Sequence, residues 1–345
     1  MSRLWTGVVL ATGCAAAVGL GSTIAIGQTS KAAVDVHVAA AKKAAGANWE
    51  GVFNRVCQMA SPPAAPAATG RGGVQAPPRQ AGPPDRATWH AEPAKVFDNL
   101  YFVGQTEYSA WAVTTSDGII LVDTIYDYSV EDEVAGGLRK LGLDPTTIKY
   151  AIVSHGHGDH SGGAKFLQDT FGTRIVLSAA DWDLLDRSSG AKPRRDMVAT
   201  DGMKLTLGDT TLTLYITPGH TLGTISTLIP VKDKGQPHLV AEWGGTAFNW
   251  MNNSAAYITS DRPATFWFDT YIASARRFRD IAAREGADVV IANHTIFDGS
   301  KTKIPALAAR KPGQANPYVV GKEGVIQYLT TVEECAQAGR ARVSP

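Results

Sequence analysis

The chain has 345 residues, of which 44% are hydrophobic and 19% charged, so it is long enough for two domains, or for one large domain with extensions. That composition predicts a sizeable packed core and excludes global disorder. Lys and Arg number 33 against 32 Asp and Glu, and the net charge of +1 offers no electrostatic reason to expect a nucleic-acid or membrane-surface partner.

The first 27 residues have the features of an export signal. A basic start at Arg3 precedes an uncharged run, residues 4–28, that is rich in Ala, Val, Leu and Gly. Ala25 and Gly27 have the small-residue spacing that signal peptidase requires, which predicts cleavage before Gln28. An uncleaved membrane anchor and lipidation at Cys14 are the alternatives. With cleavage, the mature chain is periplasmic or secreted and has no stable membrane association.

Export changes the expected chemistry of the cysteines, because an oxidising compartment permits disulfides. Removal of the signal takes Cys14 away and leaves Cys57 and Cys335. The sequence therefore predicts either a disulfide that joins the terminal segments of the mature chain or two buried free thiols.

Two segments separate the signal from the main domain. An N-terminal extension, residues 28–60, is Ala-rich, and its part from residue 31 is predicted to be a helix with one apolar stripe. That stripe consists of Trp49, Val52, Val56 and Met59. Seven prolines with many Ala and Gly make residues 61–87 a linker. The main domain is expected at residues 88–338.

From about Trp89 the chain alternates short apolar runs rich in β-branched residues with a few helices. Strands are predicted at 100–103, 110–114, 119–123, 150–154, 174–177, 204–207, 211–217, 224–230, 239–243 and 288–292. Helices are predicted from Ser129 and at 162–171, 263–284 and 325–337. Strands that arrive in groups with helices between them indicate sheets covered by helices, which is an α+β arrangement.

Five of the eight histidines lie in three short segments that each follow a predicted strand. In extended backbone His155 and His157 point the same way, and the glycines between them let the chain turn and bring Asp159 and His160 to a neighbouring position. Single histidines follow two later strands. Two metal sites with three ligands each are predicted: His155, His157 and His220 for one, and Asp159, His160 and His294 for the other.

Imidazoles with one carboxylate suit zinc, and three protein ligands leave a position for water. The alternatives are a closed structural zinc site or a chance His-rich turn, but structural zinc sites mostly use Cys and saturate the metal. The remaining histidines, His37, His90 and His238, are expected to have structural roles.

These segments resemble the metallo-β-lactamase superfamily. The resemblance rests on His-x-His-x-Asp-His at 155–160, Thr-Pro-Gly-His at 217–220 and the late His294. Segments 97–104, 118–124 and 292–298 are similar to the third subclass of class B β-lactamases, which uses no cysteine ligand. The resemblance covers about residues 89–337 and implies a four-layer αββα sandwich with two zinc ions in a cleft at one edge of the sheets.

The same resemblance implies a metal-dependent hydrolase. A hydroxide shared by two zinc ions would attack the carbonyl of a cyclic amide of the β-lactam kind, and Asp159 would orient it. Asp123 is expected either to fix a ligand histidine or to cap a turn. Such an activity would point to antibiotic resistance or scavenging.

Two departures bear on the substrate. Many superfamily hydrolases, the glyoxalase type and the lactonases among them, have an Asp where this chain has Gly245, and its absence favours the lactamase-like arrangement. The serines that often hold the antibiotic carboxylate are also missing. Thr246, Asn249 and Trp243 are the candidate pocket residues, although core packing is the more usual role of a Trp.

Three functions remain open: a β-lactamase-like hydrolase, a hydrolase of the same fold that acts on another ester or amide, and a non-enzymatic zinc-binding envelope protein. The expected partner is a small-molecule substrate rather than a nucleic acid. The basic stretch 186–201 is either a loop that attracts an anionic substrate to the cleft or a solvated loop. The sequence leaves the oligomeric state open.

Overall fold

The computed structural model describes Met1, residues 19–60 and residues 82–344, and for residues 19–30 it describes the backbone alone. Cys14, much of the predicted export signal and most of the predicted linker lie outside the described residues. The division of the chain at residues 27, 60 and 87 therefore stays a prediction. Among the described residues, no helix is both long enough and apolar enough to cross a membrane.

The described residues form twelve strands and twelve α-helices. The strands are β1 (Ala94–Lys95), β2 (Leu100–Phe102), β3 (Trp111–Thr115), β4 (Gly118–Val122), β5 (Ile148–Ile152), β6 (Arg174–Ser178), β7 (Met197–Ala199), β8 (Met203–Leu207), β9 (Thr210–Ile216), β10 (Ile225–Asp233), β11 (Gln236–Trp243) and β12 (Val289–Ala292). The helices are α1 (Gly19–Ala45), α2 (Glu50–Met59), α3 (Gly137–Lys140), α4 (Gly158–Ser161), α5 (Ala164–Phe171), α6 (Ala179–Arg187), α7 (Asn249–Asn252), α8 (Ser254–Tyr257), α9 (Ala264–Glu285), α10 (Thr295–Asp298), α11 (Ser300–Ala308) and α12 (Gly321–Val343). A π-helical segment, Glu131–Gly136, leads into α3.

The strands form two mixed sheets. The first has the order β1-β2-β3-β4-β5-β6-β7, antiparallel as far as β4 and parallel from β4 to β7. The second has the order β12-β11-β10-β9-β8, in which β11 and β12 are parallel and the other pairs antiparallel. In β9, buried residues alternate with half-buried ones, because successive side chains of a strand point to opposite faces of its sheet.

Three buried apolar clusters fill the spaces between four layers. One cluster lies between the first sheet and α3, α5 and α6, and a second lies between the two sheets. The third packs the outer face of the second sheet against α9, α12 and the N-terminal helices. Each cluster contains a fully buried tryptophan, and truncation of such a side chain typically costs about 3–5 kcal/mol. The fold is the αββα sandwich expected from the resemblance.

The N-terminal extension forms two helices rather than the single predicted helix. The break follows Gly46, whose φ of +51° is the left-handed conformation that glycine adopts readily at helix ends. Trp49, the residue before α2, is buried and donates its indole N–H to the carbonyl of Gly324 in α12 at 2.8 Å. Cys57 is joined to Cys335 by a disulfide, with Cα atoms 4.7 Å apart. The extension is thus packed on α12 and covalently linked to it.

The three histidines assigned structural roles each pair with a carboxylate away from the candidate ligand segments. The pairs are His37 with Glu334 at 2.7 Å, His90 with Glu133 at 2.6 Å and His238 with Asp288 at 2.7 Å. Each pair connects segments that are distant in sequence, and so stabilises the packing of those segments on one another.

Candidate metal centre

The candidate ligands lie where five strands end at one edge of the sandwich. The chain leaves β4 at Asp123, β5 at His155, β9 at His220, β11 at Gly244 and β12 at His294. These strands run in the same direction within their sheets, so their carboxyl ends meet at that edge. Rigid strands therefore position loops that carry the chemistry.

The first predicted ligand group converges on one point. His155, His157 and His220 each present one ring nitrogen, and these atoms lie within 4.8 Å of one another. The Nε2 atoms of His155 and His220 are 3.0 Å apart, and the Nε2 of His220 is 3.2 Å from the Nδ1 of His157. The structure brings all three predicted residues together.

The second predicted group converges beside the first. The Nε2 of His160 lies 3.2 Å from Asp159 Oδ2 and 3.2 Å from the Nε2 of His294. The Nε2 of His294 is 3.6 Å from the same Asp159 oxygen. His155 also lies close to Asp159 and His160, so the two groups are adjacent.

The outer nitrogens of two ligand histidines are held by backbone carbonyls. The Nδ1 of His155 donates to the Gly244 carbonyl at 2.9 Å, and the Nδ1 of His220 donates to the Ala247 carbonyl at 2.7 Å. Each ring carries its proton on Nδ1, which leaves a lone pair on the inward-facing Nε2. Two such lone pairs 3.0 Å apart repel one another unless a cation lies between them.

The third histidine of this group is held by Tyr257, a residue that the sequence did not single out. The Nε2 of His157 lies 2.7 Å from the Tyr257 hydroxyl. Because Nδ1 faces the other histidines, Nε2 is the nitrogen that donates to the hydroxyl oxygen. Burial raises the pKa of Tyr257 to about 12, so the phenol stays neutral.

Asp123 fixes a ligand histidine, which is one of its two predicted roles. Its Oδ2 accepts from the Nδ1 of His160 at 2.9 Å and from the Ser154 hydroxyl at 2.9 Å. Its Oδ1 accepts from the backbone N–H of Ser154 at 2.7 Å. Asp123 is 1% exposed, so water screens its interaction with His160 very little. Because Asp123 binds the Nδ1 of His160, the Nε2 of that ring faces Asp159.

The pKa values of the cluster describe a site suited to a cation. Burial lowers the pKa of His157 to about 4, so this imidazole stays neutral. Burial acts in the same direction on His160, but the charges of Asp159 and Asp123 outweigh it and raise the pKa of His160 to about 10. Burial likewise opposes ionisation of Asp159, yet the neighbouring His160 holds the pKa of Asp159 below its usual range.

The donor set fits divalent metal ions of the zinc class. Five imidazoles and one carboxylate converge here, and imidazole is a ligand that zinc, copper, iron and nickel all accept. Bound cations would balance the charges of the buried Asp123 and the half-buried Asp159, and would relieve the lone-pair contact between His155 and His220.

Two glycines allow the close approaches on which this geometry depends. Gly219 precedes His220 with φ +147°, and a Cβ there would lie 2.7 Å from the Tyr271 Cα. A Cβ on Gly245 would lie 2.4 Å from the Cβ of His220. These distances are below any ordinary contact, so residue 245 cannot carry a side chain without moving a candidate ligand.

A cavity of about 470 Å³ opens beside the first ligand group. Its wall is formed by His157, Ala180, Asp181, Leu184, Arg187, Thr221, Leu222, Asn249, Asn252, Asn253, Ala256, Tyr257, Thr259, Arg262 and Trp267. The cavity combines apolar side chains, amides and two guanidinium groups, and its volume suits a small organic molecule.

The structure places one of the three predicted pocket residues in this cavity and corrects the other two. Asn249 lines it, and its amide nitrogen lies 3.3 Å from the His220 Nε2. Trp243 is 1% exposed and donates its indole N–H to Tyr271, so it is a core residue. Thr246 is also 1% exposed, because its hydroxyl points inward to the Tyr328 hydroxyl at 3.2 Å.

Several of the cavity residues that sequence reasoning missed come from the connection between β11 and α9. Tyr257 and Arg262 lie there and match no short motif. One signal was available, because residues 244–262 form a connection longer than is usual between a strand and a helix, and long ordered connections often line sites.

Comparison with known proteins agrees with the geometry. The sequence profile of the metallo-β-lactamase superfamily matches residues 103–233. This range contains five of the six candidate ligands: the four in the motif at 155–160, and His220. BJP-1, a subclass B3 metallo-β-lactamase of Bradyrhizobium japonicum, is 27% identical, with a TM-score of 0.59 over 72% of this chain and 92% of that one. FEZ-1 of Legionella gormanii, at 23% identity, shares the fold over 69% of this chain and 91% of its own, with a TM-score of 0.59.

Curated relatives match over shorter stretches. A hydroxyacylglutathione hydrolase of Acidiphilium cryptum is 33% identical over 34% of this chain, and an N-acyl homoserine lactonase of a Bacillus species is 26% identical over 48%. The chain spans 43% and 63% of the length of these two relatives. The comparisons confirm the resemblance to the metallo-β-lactamase superfamily, including its subclass B3, and hence to metal-dependent hydrolases.

Proposed function

From its resemblance to the metallo-β-lactamase superfamily, we propose that this chain is a hydrolase that holds two zinc ions and opens the cyclic amide of a β-lactam. The observation that carries the proposal is the convergence of two three-residue ligand groups beside one cavity. A pure zinc-binding protein, the third function considered, would need neither two adjacent groups nor a cavity that reaches a ligand.

The residues present fit the proposed ions. His155, His157 and His220 would hold one ion, and Asp159, His160 and His294 would hold the other. When bound, zinc makes water a nucleophile at neutral pH and polarises a carbonyl group.

The chain's own residues supply orientation and proton handling. The Asp159 carboxylate is ionised, belongs to the second group and lies close to His155 of the first. It is therefore placed to accept a hydrogen bond from the attacking water and so to orient it. The Asn249 amide, which lines the cavity beside His220, is placed to donate to an oxygen of the substrate. Leu184, Leu222 and Trp267 line the same cavity and limit the access of bulk water.

Two observations favour a lactam over other substrates. The subclass B3 enzyme BJP-1 matches almost its whole length to this chain at 27% identity. Gly245 has no space for a side chain against His220, so an acidic ligand at that position would require a rearranged site. This geometry supports the expectation that the thioester and lactone hydrolases with an Asp there differ from this chain.

A hydrolase of the same fold that acts on another ester or amide is the second candidate. The curated relatives include a hydroxyacylglutathione hydrolase and an N-acyl homoserine lactonase, and the pocket serines expected of the resembling lactamases are missing. In either case the substrate is a small molecule, in accordance with the size of the cavity.

We test the function with the purified chain loaded with zinc. A chromogenic cephalosporin, a carbapenem, an N-acyl homoserine lactone and a glutathione thioester are offered with and without a chelator, and bound zinc is measured. We expect two zinc ions per chain and chelator-sensitive turnover of the lactams, with Asp159→Ala losing most activity while remaining folded. Zinc-loaded protein that hydrolyses only the lactone or thioester would overturn the lactam assignment, and full activity with one zinc ion would overturn the two-ion site.

Export to an oxidising compartment is part of the proposal. It is supported by the uncharged N-terminal run and by the Cys57–Cys335 disulfide, because such bonds persist outside the reducing cytosol. Expression in a bacterial host followed by fractionation and N-terminal sequencing tests it. We expect a periplasmic or secreted chain that begins at Gln28, and retention of the intact N-terminus in the membrane fraction would contradict cleavage.

A further inference from the structure

A buried carboxylate at the start of α6 binds two other segments of the chain. Asp181 is 1% exposed, and its Oδ2 accepts from the backbone N–H of Gly156 at 3.0 Å and from the Thr221 hydroxyl at 2.7 Å. Its Oδ1 accepts from the backbone N–H of Gly223 at 3.1 Å. One side chain therefore connects the segment around residue 156 with the segment at 221–223.

Both of these segments carry ligands of the first group. Gly156 stands between His155 and His157, and Thr221 follows His220 directly. The carboxylate thus holds the backbone of the two ligand segments from a third part of the chain. The distance between the segments, and with it the spacing of the three ring nitrogens, depends on this bridge.

The bridge requires close contact between the second segment and the start of α6. A Cβ on Gly223 would lie 2.0 Å from the Ser178 hydroxyl oxygen and 2.8 Å from the Asp181 Oδ1. Both distances are shorter than an ordinary contact, so a side chain at residue 223 would push this segment away from the carboxylate.

The contacts of Asp181 differ from those of an ordinary helix cap or metal ligand. Ser178 caps α6, because its hydroxyl accepts from the Asp181 N–H at 3.3 Å. The three hydrogen bonds to the Asp181 carboxylate come from outside α6. The two converging groups draw their ligand atoms from other residues. The carboxylate is therefore placed to act on the ligand segments rather than on its own helix or on an ion directly.

An ionised carboxylate suits this role. Burial raises the pKa of Asp181 to about 6, while its hydrogen bonds act in the opposite direction, so the group is ionised at neutral pH. In that form both oxygens are acceptors only, which matches a set of three donors. Such charge-assisted hydrogen bonds are stronger than those between neutral groups.

Each ligand group then has a buried carboxylate of its own, with a different task. In the second group Asp123 orients the ring of His160. In the first group two backbone carbonyls and the Tyr257 hydroxyl already hold the rings. Asp181 contributes what those contacts do not, because it fixes the two backbone segments relative to one another.

We propose that Asp181 is a positioning residue of the first ligand group, and that it sets the affinity of the ion held by His155, His157 and His220. The inference rests on the proposed function, since it takes this group to bind zinc. Groups that orient metal ligands from behind typically change metal affinity about 10- to 100-fold. The effect should be confined to one ion, because the contacts of Asp181 are with the segments of the first group.

The test measures zinc affinity and needs no turnover. Chelator competition is carried out in a His294→Ala background, where only the first group is complete, and in a His220→Ala background, where only the second is complete. Asp181→Asn should weaken zinc binding to the first group about tenfold, because its amide leaves at least one donor without an acceptor. Asp181→Ala should weaken it about 100-fold, because all three donors lose their acceptor. Zinc affinity of the second group should change by no more than about twofold.

Two further measurements separate positioning from a general loss of stability. Cobalt(II) bound to the first group should change its visible absorption in the Asp181 variants, because that absorption depends on ligand geometry. Glu133→Gln is the matched control and should alter neither zinc affinity nor the cobalt spectrum. Glu133 is likewise a buried carboxylate, 2% exposed, but it accepts from the Ala91 N–H at 3.0 Å and contacts His90 at 2.6 Å, outside the ligand segments.

The outcomes distinguish this inference from the proposed function. Unaltered affinity of the first group in both Asp181 variants, or equal weakening of both groups, would overturn the positioning role. Selective weakening of the first group in a protein that hydrolyses no lactam, lactone or thioester would leave the positioning role standing and overturn the proposed function. An unmodified chain that binds no zinc would overturn both.

Discussion

Asp123→Asn replaces one oxygen of the carboxylate that orients His160, and the structure indicates how large the effect should be. In the unmodified protein, Oδ1 accepts from the Ser154 N–H at 2.7 Å, and Oδ2 accepts from the His160 Nδ1 at 2.9 Å. An amide offers one oxygen and one NH₂ group. Whichever way it is turned, the NH₂ faces either the Ser154 N–H or the His160 N–H, so one buried donor loses its acceptor.

The magnitude follows from that lost contact. A buried donor without an acceptor costs about 1–3 kcal/mol, and loss of a carboxylate behind a ligand histidine typically lowers metal affinity about 10- to 100-fold. Asp123 has φ +63°, a conformation that Asn tolerates better than Ala does, so Asn adds little backbone strain. We therefore expect about 1.4–2.7 kcal/mol weaker binding of the ion held by His160.

Competition for zinc with a chromophoric chelator measures both ions in one titration. We expect the ion at Asp159, His160 and His294 to bind about 10- to 100-fold more weakly, while the ion at His155, His157 and His220 changes by no more than about twofold. Asp144→Asn is the control, because Asp144 is an exposed helix-capping residue remote from the cluster. Equal weakening of both ions, or no change in either, would refute the assigned role of Asp123.

Three further predictions follow from other contacts. Cys335→Ala, with Cys57 left free, should lower the free energy of unfolding by up to about 5 kcal/mol, because the bond closes a loop with a separation of 278 residues. Urea unfolding against the oxidised unmodified protein checks it, and the reduced unmodified protein should unfold like the variant. Gly245→Asp should displace His220 and reduce bound zinc to one per chain by metal analysis, since its Cβ would lie 2.4 Å from the His220 Cβ. Tyr257→Phe should leave the circular dichroism spectrum unchanged and weaken zinc binding at His155, His157 and His220 about tenfold, as measured by chelator competition. Unchanged zinc affinity would contradict the role of Tyr257 in positioning His157.

Much of the candidate centre could be predicted from the sequence because its ligands are local to strand ends. His155 and His157 are two residues apart in extended backbone, and glycines turn the chain so that Asp159 and His160 follow. Those relations depend on backbone geometry over a few residues. The strand pattern was equally local, and it predicted sheets covered by helices, whereas the four-layer arrangement was implied by the family resemblance.

Residues whose roles depend on packing between distant segments could not be assigned in that way. Trp243 ends β11 and Thr246 comes just after Gly245, yet their side chains turn into the core because α9 and α12 cover that face. Tyr257 is placed against His157 only by the course of the long connection that follows β11. No local pattern records such contacts, since side-chain direction there is set by the packing of helices on the sheet.

The sequence by itself determined which atoms are available to bind metal, because the ligand motifs need only short stretches of chain. The tertiary structure decided which side chains share the cavity with them. Arg187 and Arg262 are separated by several strands in sequence and line one cavity, although α6 packs on the first sheet and α9 on the second. Contacts between distant segments form when the apolar faces of whole elements are buried together, and that is a property of the folded chain rather than of any one segment.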